Sequence, residues 1–136
     1  MGTQPPIAIG DAKAGELKEL NIILARLAVE YWKLLRSFER AIDVTPHDAK
    51  VRLSAQARYA AGRLEELLSD AKMKIVSFDG MTFEVNLPAV AINGEDVSGL
   101  HNVIVERTIE PAVIFDMNVI LMGKVFLTQS SKGGDQ

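Results

Sequence analysis

The chain of 136 residues contains no cysteine and only two histidines. Without cysteine there is no disulfide framework, no thiolate nucleophile and no Cys-based zinc site. His47 and His101 are too few imidazoles for a metal cage or a histidine relay, and no cofactor is expected. No apolar run approaches the ~18 residues of a membrane span, so a soluble chain with no membrane contact is expected. The opening MGTQPPIAIG lacks the basic region and long apolar run of a secretory peptide. Pro6 also stands where a myristoylation motif wants Ser or Thr, so a cytoplasmic location is expected. A formal charge of −3 gives no bulk attraction to nucleic acid or anionic lipid, and no nucleic-acid partner is expected.

What is present is an ordinary globular mixture, 48% apolar and 24% charged, enough to bury a core. Its length fits one domain, or a long helical segment carrying a small domain. Charge is divided unevenly: residues 1–74 hold 12 Lys/Arg against 10 Asp/Glu, and residues 75–136 hold 3 against 8. The first part is therefore near neutral at +2 and the second acidic at −5. The one Trp and both Tyr also lie in the first part.

Pro5-Pro6 and Gly10 predict a flexible arm over residues 1–10. Asp11 can cap a helix that meets no proline before Ile42, a run of roughly 31 residues or about 47 Å. Along it Leu17, Leu20, Leu24, Leu27, Tyr31, Leu34, Phe38 and Ala41 step alternately by three and four, a heptad seam held for more than three repeats. The first seven of these are the candidate dimerisation residues. Ile23, Leu35 and Ile42 widen the stripe, which favours a bundle over an isolated zipper. Thr45 and Pro46 suit the start of a second helix, with Thr45 as its cap. Leu53, Ala57, Ala60, Leu64, Leu67 and Ala71 form its apolar row, and the short connection predicts an antiparallel hairpin.

After Lys72 the apolar period falls to two. Ile75, Val76 and Phe78 precede Asp79-Gly80 and Thr82, Phe83 and Val85 follow it, the pattern of a two-residue hairpin. Asn93-Gly94 and Ser98-Gly99 are further turn signals, and Val103–Ile109 and Val119–Thr128 read as longer strands. Four to six strands are expected in a small β domain over residues 73–128. The polar, Gly-rich end, residues 129–136, reads as a disordered tail. The fold class is therefore α+β: a long N-terminal helical hairpin over residues 11–72, forming a dimeric coiled coil or four-helix bundle, followed by a small β domain.

Catalytic patterns are lacking. GxxxxGK[ST], GxGxxG, HExxH, GxSxG and the calcium loop do not occur. Glu65, Glu66 and Asp70 read as a solvated helix face rather than a cation site, and His101 has no nucleophile or orienting carboxylate near it in sequence. Arg26, Lys33, Arg36 and Arg40 are interleaved with Glu30 and Glu39, which suits a solvated or salt-bridged surface better than a nucleic-acid groove. Met117 and Met122 are either core fillers or soft, adaptable contacts for a partner.

The stretch Ile75-Val76-Ser77-Phe78-Asp79-Gly80-Met81-Thr82-Phe83-Glu84-Val85-Asn86-Leu87 resembles the β domain of the GrpE family, nucleotide exchange factors for DnaK-type chaperone ATPases. Gly80, Phe83 and Glu84 fall on that family's Gly, Phe and Asp, and Glu95-Asp96-Val97 is similar to its acidic loop. Val103-Ile104-Val105-Glu106 is similar to the next strand, and Phe115–Ile120 and Lys124–Leu127 to the closing hairpin and last strand. The family's Pro-x-x-His is replaced here by Val85 and Pro88, and its Arg-Pro-Ala by Leu121-Met122-Gly123. The resemblance implies a homodimer with a helical handle and a β domain that opens the nucleotide-binding lobes of a DnaK-type ATPase, with no catalytic residues of its own. On that reading Asp116, Met117, Asn118 and Met122, near the closing hairpin, are the candidate partner contacts. The alternative is a non-enzymatic structural adaptor that dimerises through its helices and docks another protein through its β domain.

Overall fold

The computed structural model describes residues 6–130, with side chains from residue 13 onward. Two helices, α1 (Pro6–Asp43) and α2 (His47–Asp70), make the hairpin, and six strands follow: β1 (Met73–Val76), β2 (Ala89–Ala91), β3 (Val103–Glu110), β4 (Ala112–Phe115), β5 (Asn118–Leu121) and β6 (Gly123–Gln129). The expected α+β architecture, a helical hairpin and then a small β domain, is what the chain forms.

Helix α1 starts at Pro6, ahead of the cap expected at Asp11. Proline at the first helical position needs no amide partner and already has helical φ, so residues 6–10 of the expected arm continue the helix instead of breaking it. Residues 1–5 of that arm and residues 131–136 of the expected tail lie outside the described residues. Thr45 does not cap α2. Its hydroxyl donates to the carbonyls of Ala41 and Ile42, at 2.9 and 2.8 Å, and so closes the end of α1. Proline 46, without a side-chain acceptor, precedes α2.

The strands form two antiparallel-dominated sheets. One has the order β1-β4-β5, and the other β2-β6-β3 with β2 parallel to β6. The pairings β3/β6 and β4/β5 belong to one long hairpin bent at a corner, where Glu110 opposes Lys124 on one side and Val113 opposes Leu121 on the other. The corner explains why the run expected over Val119–Thr128 is two strands. Buried Pro111 cannot donate to a ladder, and Gly123 sits where a Cβ would come within 2.9 Å of the Phe78 ring and 3.0 Å of the Glu110 carbonyl oxygen. The chain therefore leaves one sheet for the other at these two residues.

Asp79-Gly80 does turn the chain, with Gly80 at φ +80°. The expected hairpin with residues 82–85 is not formed. Gly80 and Phe83 donate to Val105 and Val103 of β3, and Thr82 makes only an isolated bridge to Ile104. Burial of Phe78 between the sheets draws the segment across to β3 and away from β1.

Two apolar clusters hold these layers. Ala25, Ala28 and Val29 of α1 and Leu64 and Leu68 of α2 pack with Met73 and Val113 of the first sheet. Phe78, Ala89, Val105, Ala112, Val125 and Leu127 fill the space between the sheets. Between them they place the β domain directly on the middle of α1.

Candidate functional site

Helix α1 has two apolar faces, and the chain covers only one of them. Ala25, Ala28 and Val29 are buried, with Trp32 and Leu35 half-buried beside them. The expected seam lies round the helix from that stripe. Leu17 is 59% exposed, Leu27 65% and Leu34 73%, and Leu20, Leu24 and Ile23 are exposed as well. Of the remaining seam residues, Phe38 is half-buried, and Tyr31 lies at the rim with its hydroxyl donating to the Ala60 carbonyl at 2.9 Å. The hairpin thus packs Ala25, Ala28 and Val29 of α1 against Leu64 and Leu68 of α2 and leaves a row of leucines on α1 uncovered. In α2, Leu68 takes the inward place expected of Leu67, which faces solvent.

The β domain is fastened to α1 by charge as well as by apolar contact. Lys33 Nζ lies 3.0 Å from Glu110, which also approaches Lys124 at 3.6 Å, and Arg36 lies 2.9 Å from Asp79 while stacking on Trp32. Asp79 in turn accepts the Thr108 amide at 2.7 Å, and Thr108 accepts the Phe78 amide at 2.8 Å. The turn, β3 and α1 are therefore tied at one point. Partial burial pushes the Asp79 carboxyl up, but the bonds from Thr108 and the Arg36 guanidinium outweigh it and hold it below the usual carboxylate range. Glu110 is lowered by its bond from Lys33 against partial desolvation, with Lys124 adding to the effect. The same bond raises Lys33 against its own desolvation.

Sequence reasoning placed Lys33 and Arg36 on a solvated or salt-bridged face without finding these partners. The pairs span 77 and 43 residues, so no local spacing announces them, and Asp79 reads first as a turn residue. A polar cleft of about 660 Å³ opens beside the clamp, lined by Arg36, Arg40, Asp79 and Arg107 among others.

The candidate partner contacts are all at the surface. Asp116 and Met117 form the two-residue turn between β4 and β5, both with positive φ as a type I′ turn requires. The Asp116 amide donates to Lys72 at the end of α2, and the Asn118 side chain donates to the Asp116 carbonyl. Met117 is 93% exposed at the tip. Met122 is also exposed but follows β5, a strand's length or roughly 13 Å from Asn118. The structure brings Asp116, Met117 and Asn118 together and leaves Met122 apart, at the corner. His101 is exposed on the loop before β3 and lines neither large cleft. Among the described residues no three His, Asp or Glu side chains are grouped to hold a metal, and no helix is long and apolar enough to cross a membrane.

No family model, curated protein or solved structure matches the chain.

Proposed function

We propose that the protein is a GrpE-like homodimeric nucleotide exchange factor acting on a DnaK-type chaperone ATPase. One observation carries the homodimeric part of the reading: the leucine row from Leu17 to Leu34 stays uncovered although the same helix buries its neighbouring stripe. A row of this size on a solvated helix calls for a second chain, and its heptad spacing suits a second copy of α1. The clamp through Lys33, Arg36, Asp79 and Glu110 supports the rest of the reading, because it fixes the β domain's orientation on that handle.

Exchange requires no catalytic side chain. A factor that binds the open form of the ATPase more tightly than the closed form shifts that equilibrium and speeds nucleotide release. A rigid lever suits this task, since flexibility between handle and β domain would dissipate the preference. The acidic β domain suits a basic surface on the ATPase, and the exposed Met117 tip suits an adaptable contact.

Release of fluorescent ADP from DnaK-type ATPases of the native host tests the proposal. The full chain is expected to accelerate release at least tenfold. Unchanged rates with every such ATPase would contradict exchange, and a dimer with that result would leave the adaptor role.

A further inference from the structure

Strand β1 is an edge of its sheet: β4 pairs with one side of it and, among the described residues, no strand with the other. The bond from the Asp116 amide to the Lys72 carbonyl sets the alternation along the pair. Lys74 and Val76 then exchange bonds with β4, and the amides and carbonyls of Met73 and Ile75 turn to the open side. Proteins ordinarily block such an edge with a covering helix, a bulge or a proline. Here a cavity of about 1070 Å³ runs alongside it instead, lined by β1 itself and by both helices. That volume is at the upper end of ordinary ligand pockets and admits a short stretch of chain.

The two faces of the edge differ in chemistry. Met73 and Ile75 point toward the helices, where Trp32, Leu35 and Leu64 give the cavity an apolar floor and Glu39 and Glu65 stand on the helices beside it, together with Arg36, whose guanidinium is already paired with Asp79. Lys74 points the other way, is exposed, and forms no ion pair among the described residues; the same holds for Lys72.

We propose that the open edge of β1 docks an extended peptide segment that alternates apolar and acidic residues, added to the sheet as a fourth strand. Main-chain bonds to Met73 and Ile75 hold the strand. Side chains opposite these two enter the apolar floor, and the one opposite Lys74 meets its ammonium across the pair. The reverse placement is disfavoured, because it would set acids against Glu39 and Glu65 and apolar groups beside lysines. This edge is separate from the leucine row of α1, so the proposal stands whether or not exchange activity is found.

The test uses the full chain and a fluorescein-labelled peptide, Ser-Val-Glu-Val-Glu-Val-Ser, with a control in which Lys replaces Glu. Fluorescence anisotropy is expected to show the Glu peptide binding roughly tenfold more tightly than the Lys peptide. Lys74→Glu, a change at an exposed side chain, is expected to invert that preference. Hydrogen exchange at the Met73 and Ile75 amides is expected to slow when the Glu peptide binds. Equal binding of the two peptides, binding of neither, or a preference that survives Lys74→Glu would overturn the proposal. So would amides already protected in the free chain in proportion to its concentration, which would mean that a second copy fills the edge.

Discussion

The two faces of α1 are built from different residues. The face that the chain covers with its own α2 and first sheet centres on Ala25, Ala28 and Val29, whose small side chains let the neighbouring backbones come close, with Trp32 and Leu35 half-buried beside them and Ile42 buried near the turn. The face left open carries Leu17, Leu20, Leu24, Leu27 and Leu34. A helix serving only its own chain places its large apolar side chains inward, where each fully buried leucine is worth about 1.5–3 kcal/mol. Here a row of leucines is turned outward, and the difference separates two tasks on one helix: packing within the chain, and association beyond it.

Charge on the open face breaks this comparison most sharply. Leu24→Asp together with Leu27→Asp should dissociate the proposed dimer, lowering its association constant by more than about a hundredfold, since an unpaired carboxylate in a seam is costly. Circular dichroism should show the β domain intact, because neither residue belongs to the buried clusters. On the covered side the effect is on the folding of each chain and does not depend on concentration. Phe78→Ala, within the cluster between the sheets, should cost about 3–5 kcal/mol of unfolding free energy in denaturant titration. Gly123→Ala should cost about 1–3 kcal/mol, because its Cβ would press on the Phe78 ring and the Glu110 carbonyl.

The ion pairs between α1 and the β domain give a smaller effect with a defined pH window. Asp79 and Glu110 are held below the usual carboxylate range, so their stabilisation is complete at neutral pH and is lost as pH falls below about 4. Lys33 is raised, so its share persists at neutral pH and is lost only above the ordinary lysine range. Thermal midpoints should be flat near neutrality and fall on acidification, and Glu110→Gln should shallow that fall. The pairs are partly solvated, and removing one should cost under about 1 kcal/mol at neutral pH. Met117→Ser should leave stability within about 0.5 kcal/mol, because the side chain is almost fully solvated.

Local signals carried much of the fold. Period and turn residues located both helices and the change to strands after Lys72, because each depends on neighbours a few residues apart. The spacing of the exposed leucine row was legible for the same reason. Hidden from sequence was what depends on distant partners: the bend at Pro111 and Gly123, the passage of residues 79–83 to β3, and the ion pairs that join α1 to the β domain. Thr45 misled because a hydroxyl between two helices can serve either end, and it closes the first. Met122 was grouped with Asp116–Asn118 by sequence proximity, yet an extended strand separates it from them.

Sedimentation equilibrium of the unmutated full chain tests most directly the claim that the open face of α1 is covered by a second copy. A dimer is expected, at twice the chain mass, with a melting temperature that rises with protein concentration. A monomer whose melting temperature does not change with concentration would contradict it.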